Sequence, residues 1–418
     1  MANLQAPDNE AFGAAPHERP VPRISIQAFC EFPDTGAALQ RAASDRRLAK
    51  AHVTVQLGGL QAAVDHHAGS VAPNLLIVET RLQGKAAVEE IDRLAEVCDP
   101  STKVVIVGRV NDVELYRELM RRGVSEYMVA PLNPLHLIEV ISGLYLNPDA
   151  SPIGRVVAFV GARGGVGSST IAHNVGWCIA EQIKVNTAIV DLDLAFGTAG
   201  LDFNEETGQG VADALSAPER LDDVLLERLL LKCGEHLSLF TAPATIDRDF
   251  DAEPNAYEAV IDAVRQMTPC VIVDIPHLWA PWVKQTLLAA DDIVIVATPD
   301  LASLRNAKGM ADMLKQARPN DSAPKLVLNQ VGMPKRPEIP VKDFGETVGL
   351  PVALSLPFDP ALFGAANNNG QMLYEVQPRA AVSEAVMRMA ETLTGRVPVA
   401  DEKSVLPFLS FLKGKKRA

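Results

Sequence analysis

The sequence predicts an α/β protein made of two doubly wound parallel-sheet units. Three observations carry that expectation. Short β-branched runs alternate with helical apolar patterns along most of the chain. A stretch dense in Pro, Gly and small polar residues, "NPDASPIG" at 147–154, interrupts the alternation. And 418 residues are more than one ordinary hydrophobic core organises.

Residues 1–22 are rich in Pro, Ala and Glu without periodicity and are expected to form a disordered extension. The first unit, 23–146, reads as strands at "ISIQAFC" (24–30), "HVTVQL" (52–57), "NLLIVET" (74–80), "KVVIVGR" (103–109) and "SEYMVAP" (125–131). Helical segments separate them, as in "DVELYRELMRRG", where Val113, Leu115, Tyr116 and Leu119 follow one stripe. After the linker at 147–154, a larger unit spans 155–400. Its strands are read at "RVVAFVG" (155–161), "NTAIVD" (186–191), "PCVIVD" (269–274), "DIVIVATP" (292–299) and "KLVLNQ" (325–330). The two units share an architecture and no sequence repeat. Residues 401–418 form an apolar and basic tail.

Composition narrows the function. No apolar run approaches the roughly 20 residues of a membrane-spanning helix, and "MANLQAPDNEAFGAAPHERP" lacks the basic start and apolar stretch of a secretory signal, so the cytoplasm is the expected compartment. The five cysteines (Cys30, Cys98, Cys178, Cys233, Cys270) are widely spaced, which points to buried free thiols rather than disulfides or a metal cluster. A formal charge of −13 argues against nucleic acid as a partner, because phosphate contact needs a basic face. A local basic patch stays compatible with it.

The chemistry is concentrated in "GARGGVGSST", 161–170. Gly161 ends an apolar strand, and Ser169 begins a helix whose Ile171, Val175, Cys178 and Ile179 form a buried stripe. A glycine turn between strand and helix aims backbone N–H groups at an anion, and Gly164, Gly165 and Gly167 let the backbone curl. Ser169 stands where a hydroxyl can take a Mg²⁺ position. Against the pattern G-x-x-x-x-G-K-[ST], Ala162 replaces a glycine and Ser168 replaces the lysine. Losing one charge-assisted contact costs about 1.5–3 kcal/mol, or about one to two decades of affinity. Binding survives such a loss more readily than phosphoryl transfer does.

"GARGGVGSSTIAHNV", "VDLDLAFGTAGLDF", "VIVDIP", "VLNQV" and "PFDPALFGAANNNG" follow one another in the order and approximate spacing of ParA/MinD-type ATPases, and residues 155–395 resemble that family. The resemblance implies a P-loop NTPase fold with ATP and Mg²⁺ as ligands. It implies a phosphate cradle of Gly164, Gly165, Val166, Gly167, Ser168, Ser169 and Thr170. Arg163 matches the position of a lysine that reaches a dimer partner's nucleotide; a solvated loop arginine is the alternative. Asp191 and Asp193 match carboxylates at the magnesium shell and the attacking water, and Asp274 matches the second acidic motif, with Ser169, Asp191 and Asp274 as the implied metal set. Asn329 matches the adenine reader, and Pro357 and Asp359 open the loop that closes over the base. Arg163 and Asp193 are the candidates for any catalysis.

The first unit resembles a receiver domain of flavodoxin-like fold that has lost its chemistry. Glu79, Gly108 and Ala130 stand where a receiver carries Asp, Thr or Ser, and Lys, and only Glu31 follows the first strand. Phosphoryl transfer to it is not expected, which leaves a docking or dimerisation surface. A receiver-like unit before a degenerate ParA/MinD-like unit resembles the CpaE/TadZ family of tight-adherence (Flp, type IVc) pilus assembly. That resemblance implies an ATP-dependent homodimer with slow or absent hydrolysis that recruits pilus secretion proteins to the inner membrane, at a pole. A nucleotide-free scaffold and an active ParA-type partitioning ATPase are the alternatives.

Other features have plainer readings. His66, His67, His173, His236 and His277 lack ligand spacing and are expected to be exposed or satisfied, with His277 near the presumed switch. Trp279 and Trp282 are read either as interface residues or as core. The tail "VLPFLSFLKGKKRA" (405–418) suits contact with an anionic membrane surface or a partner-binding segment.

Overall fold

The computed structural model describes residues 20–68, 73–145, 153–206, 208–243 and 252–395. The first unit comprises β1 (Ser25–Cys30), α1 (Pro33–Ala43), β2 (His52–Leu57), α2 (Gly59–His67), β3 (Leu75–Glu79), α3 (Gly84–Val97), β4 (Lys103–Gly108), α4 (Val113–Arg121), β5 (Glu126–Val129) and α5 (Pro134–Tyr145). Its five strands are parallel, in the order β2-β1-β3-β4-β5. Strand residues alternate in direction: Ile26 and Ala28 pack with Leu39 of α1 and Leu137 of α5, whereas Phe29 and Leu76 pack with α2, α3 and α4.

The second unit runs β6 (Arg155–Gly161), α6 (Ser168–Trp177), β7 (Thr187–Asp191), α7 (Ala199–Asp202), α8 (Val211–Ser216), α9 (Asp223–Leu229), β8 (Leu231–Lys232), β9 (Leu237–Phe240), α10 (Pro254–Met267), β10 (Cys270–Ile275), α11 (Pro281–Ala289), β11 (Asp292–Ala297), α12 (Leu301–Ala317), β12 (Lys325–Val331), α13 (Val341–Val348), β13 (Val352–Pro357), α14 (Pro360–Asn369), α15 (Leu373–Val376) and α16 (Ala381–Leu393). The strand order is β13-β12-β11-β6-β10-β7-β9-β8. Val157 and Phe159 face α6 and α16, while Val156, Ala158 and Val160 face α10 to α13. Sequence reading placed five of these strands. β9 and β13 extend the sheet, and β8 pairs antiparallel to β9 at one edge, so the sheet is not wholly parallel. These three are short or half-buried and lack the continuous apolar runs of the central strands.

Two boundary expectations are adjusted. Val21, placed in the disordered extension, is buried and donates its N–H to Arg47 O at 2.7 Å; residues 1–19 lie outside the described residues. Gly154, placed in the linker, is buried and exchanges hydrogen bonds with Arg265; residues 147–152 and the tail 401–418 lie outside the described residues. Cys30, Cys178 and Cys270 are buried free thiols, whereas Cys98 and Cys233 are half-buried.

The units meet across an ion network. Asp321, after α12, accepts from Arg46 Nε at 2.7 Å, Arg47 Nη2 at 2.6 Å and Arg318 Nε at 2.7 Å. Asp291 accepts from Arg46 at 3.2 Å and Arg265 at 2.9 Å. Arg46 also donates to Ala289 O at the end of α11, and Lys50 pairs with Asp262 and Glu258 of α10. This seam lies at the amino ends of β6 and β11.

Candidate nucleotide site

β6 is central, with β11 on one side and β10 on the other, so connections leave its carboxyl end in both directions. A crevice at such a switch point is where open α/β sheets hold ligands. The loop from Gly161 to Ser168 occupies it. Gly167 has φ +85°, and a Cβ there would lie 2.6 Å from Asn329 Nδ2, so glycine is required on two counts. The first helical hydrogen bond runs from Ile171 N–H to Gly167 O at 3.1 Å, which leaves the Ser168, Ser169 and Thr170 amides free of intrahelical acceptors. Side chains from α12 and from the end of β12 hold the loop's carbonyls: Asn306 Nδ2 donates to Ala162 O, Asn329 Nδ2 to Val166 O (both 2.8 Å) and Gln330 Nε2 to Gly165 O (3.2 Å). His277 Nδ1 lies 3.1 Å from Gly161 O.

The acidic residues converge because β7 and β10 are paired in register, Asp191 opposite Asp274. Asp191 is fully buried and accepts the N–H groups of Asp193 and Ala199, both at 3.1 Å. Burial, then Asp274, pushes its carboxyl up to about 7. Asp274 is buried beside the Ser169 hydroxyl; burial raises its pKa, opposed by His173 and Ser169. Asp193 is half-buried and accepts Phe196 N–H at 3.0 Å.

His173 belongs to this cluster, contrary to a plain satisfied histidine. It is fully buried, with Nδ1 2.7 Å from Asp202 Oδ2 and Nε2 3.6 Å from Asp274 Oδ2. Burial opposes its charge, but Asp202, Asp274 and Asp191 outweigh that and raise its pKa. The available signal was spacing: His173 falls one turn after Ser169, on the same helical face. Asp202, Asn306 and Gln330 were also missed, because nothing local marks them.

Three buried polar atoms here lack a hydrogen-bond partner among the described residues: Ser168 Oγ, His173 Nε2 and Asp274 Oδ1. Buried polar groups are normally satisfied, and oxygen ligands on hydroxyl and carboxylate are what Mg²⁺ takes. The residues present therefore fit a magnesium–phosphate group. Beside them, Gly167, Thr170, Asn329, Pro357, Asp359 and Phe363 line a cavity of about 330 Å³. Asp359 caps α14 through Leu362 N–H at 3.1 Å.

Arg163 points elsewhere within its own chain. It is 55% exposed and lies 3.5 Å from Asp300 Oδ2, at the start of α12. The same rim carries exposed Phe196, Leu201, Leu278, Trp279 and Leu301, on segments following β7, β10 and β11. Trp282, in contrast, stacks on Tyr257 with ring centroids 4.1 Å apart, so it is core and Trp279 is not.

In the first unit, Glu79 is buried and its carboxylate accepts the Glu31 and Phe32 N–H groups, the Thr35 hydroxyl and Arg109. It anchors the start of α1, where a negative charge is favoured. A Cβ at Gly108 would meet the Tyr127 hydroxyl, so a side chain there requires that ring to move.

No family model matches the chain. The crystal structure of the pilus assembly protein CpaE from Caulobacter crescentus is 50% identical over 98% of its own length and 31% of this chain, with a TM-score of 0.30. The chain belongs to the CpaE family of pilus assembly proteins. It is the sequence identity that decides this. The CpaE-family chain is also similar to a ParA family ATPase from Chlorobium tepidum, 26% identical over 56% of this chain and 98% of that one, at a TM-score of 0.51. An uncharacterized ATP-binding protein of Methanocaldococcus jannaschii is 26% identical over 62% of this chain and 95% of its own. The CpaE-family chain is thus of ParA/MinD type.

Proposed function

We propose that the chain binds Mg²⁺–ATP, dimerises on it through the face that carries the loop, and uses the dimer to localise and scaffold tight-adherence pilus assembly, with slow or absent hydrolysis. One observation carries the reading: three partnerless buried polar atoms gather at the head of a phosphate-type loop. Ser169, Asp191 and Asp274 would hold the magnesium, which when bound supplies positive charge to the phosphate oxygens. The loop amides from Gly164 to Thr170 bind and orient the phosphates, and the cavity by Asn329, Pro357 and Asp359 takes the base. Ser168 brings no charge, so turnover is weak while binding persists.

Arg163 reaches a partner's nucleotide only by leaving Asp300. An exposed pair of this kind holds about 0–1 kcal/mol, so the release is easy. Asp193 orients water at the same edge. Exposed Phe196, Leu278 and Trp279 supply the apolar contact that dimers favour. The dimer then offers a composite surface to pilus secretion proteins at the inner membrane, at a pole, with residues 405–418 as the membrane-contacting segment.

No helix among the described residues is long and apolar enough to cross a membrane. Equilibrium binding of labelled ATP with and without Mg²⁺, followed by mass measurement, tests the reading. Magnesium-dependent binding with doubling of mass is the expected result. Absence of binding overturns it in favour of a nucleotide-free scaffold, and rapid turnover in favour of a ParA-type motor.

A further inference from the structure

We propose that His173 is a positioning residue for the Mg²⁺-holding carboxylate: anchored on Asp202, it fixes where Asp274 sits opposite Ser169. The inference rests on the nucleotide-binding reading above. α6 brings Ser169 and His173 to one face, a helical turn apart. The ring orientation is set by the anchor, because a carboxylate accepts and Nδ1 must donate to Asp202 across 2.7 Å. Asp202 is itself fixed by the Thr198 hydroxyl at 3.0 Å, and Phe203 packs against the imidazole with centroids 5.9 Å apart. Nε2 then faces Asp274 Oδ2 at 3.6 Å, while Oδ1 of the same carboxylate has no hydrogen-bond partner among the described residues.

A ring with both nitrogens aimed at carboxylates does more than fill space. An apolar side chain would fill the same volume without the desolvation penalty of a buried imidazole. Asp191 and Asp274 lie side by side on paired strands, and among the described residues His173 is the only basic side chain within ion-pair distance of either carboxylate. Groups that orient metal-holding carboxylates contribute about 10- to 100-fold to metal affinity.

The test uses the full chain and an N-methylanthraniloyl-ATP probe, titrated with Mg²⁺ and, separately, in EDTA. For His173→Ala, the apparent Mg²⁺ affinity of the probe complex is expected to fall about 10- to 100-fold, with EDTA binding unchanged. Asp202→Asn weakens the anchor and is expected to act in the same direction, and His173→Gln, which keeps a donor, recovers part of the loss. Asp202→Asn also serves as the deciding variant if His173→Ala does not fold. Equal losses with and without Mg²⁺ reveal a merely structural histidine and overturn the inference. So does an unchanged Mg²⁺ gain in His173→Ala and Asp202→Asn. A wild-type chain that binds no probe in either condition overturns the nucleotide reading instead.

Discussion

Asp321→Ala removes the acceptor shared by Arg46, Arg47 and Arg318 at the seam between the two units. The side chain is 5% exposed, as is that of Arg318, so the pairs are scarcely screened. Breaking a buried pair by deleting one partner costs about 3–5 kcal/mol, because the remaining charge stays buried. Arg46 keeps Asp291, and Arg47 keeps Asp45, which places the expectation at the lower end, about 3 kcal/mol. For a unit the size of the larger one, that is a fall of about 6–12 °C in melting temperature. The assay is thermal unfolding followed by two probes. Trp177, Trp279 and Trp282 all lie in the second unit, so their fluorescence reports that unit alone, while far-UV circular dichroism reports both. The wild-type transitions are expected to coincide, and in Asp321→Ala the fluorescence transition moves down by that amount and separates from the dichroism one, which also carries the first unit. Glu346→Ala, which removes an exposed pair with Lys342, is the control and shifts little. A variant melting within about 2 °C of wild type, with probes still coincident, refutes the view that the network joins the units.

Ser168→Lys restores the missing ammonium and is expected to tighten ATP binding by about one to two decades, read by isothermal titration. Trp279→Ala, at an exposed rim position, is expected to abolish ATP-dependent doubling of mass while leaving ATP binding by the monomer intact. Acid unfolding tests the seam a second way. Burial pushes Asp321 up, but Arg46 and Arg318 hold its carboxyl below the ordinary range; Asp292 behaves likewise beside Lys325 and Arg155. Their stabilisation is present above the unfolded value near 3.8 and lost as pH falls through the lower folded value, so a melting temperature that drops steeply only below about pH 4 is expected.

The fold was legible wherever the pattern was local and strong. "RVVAFVG" and "PCVIVD" are continuous apolar runs buried on both faces, and the structure makes them central strands. "VALSLP" alternates at an edge, with Leu354 and Leu356 inward, and was missed as a strand; its run is broken by the half-buried side it turns to solvent. The loop was legible too, because glycine spacing, the strand before it and the helix after it are all short-range.

What escaped sequence reading is pairing over distance. His173 is unremarkable until Asp202, 29 residues on, and Asp274 from a different strand stand at its two nitrogens. Arg46 meets Asp321 across 275 residues, and no periodicity announces either partner. The same limit explains the first unit. Glu79 reads from sequence as a receiver aspartate replaced by a longer acid, whereas its environment shows a carboxylate committed to two backbone amides, a hydroxyl and an arginine. A carboxylate with those contacts is held as the acceptor that fixes the turn from β1 into α1.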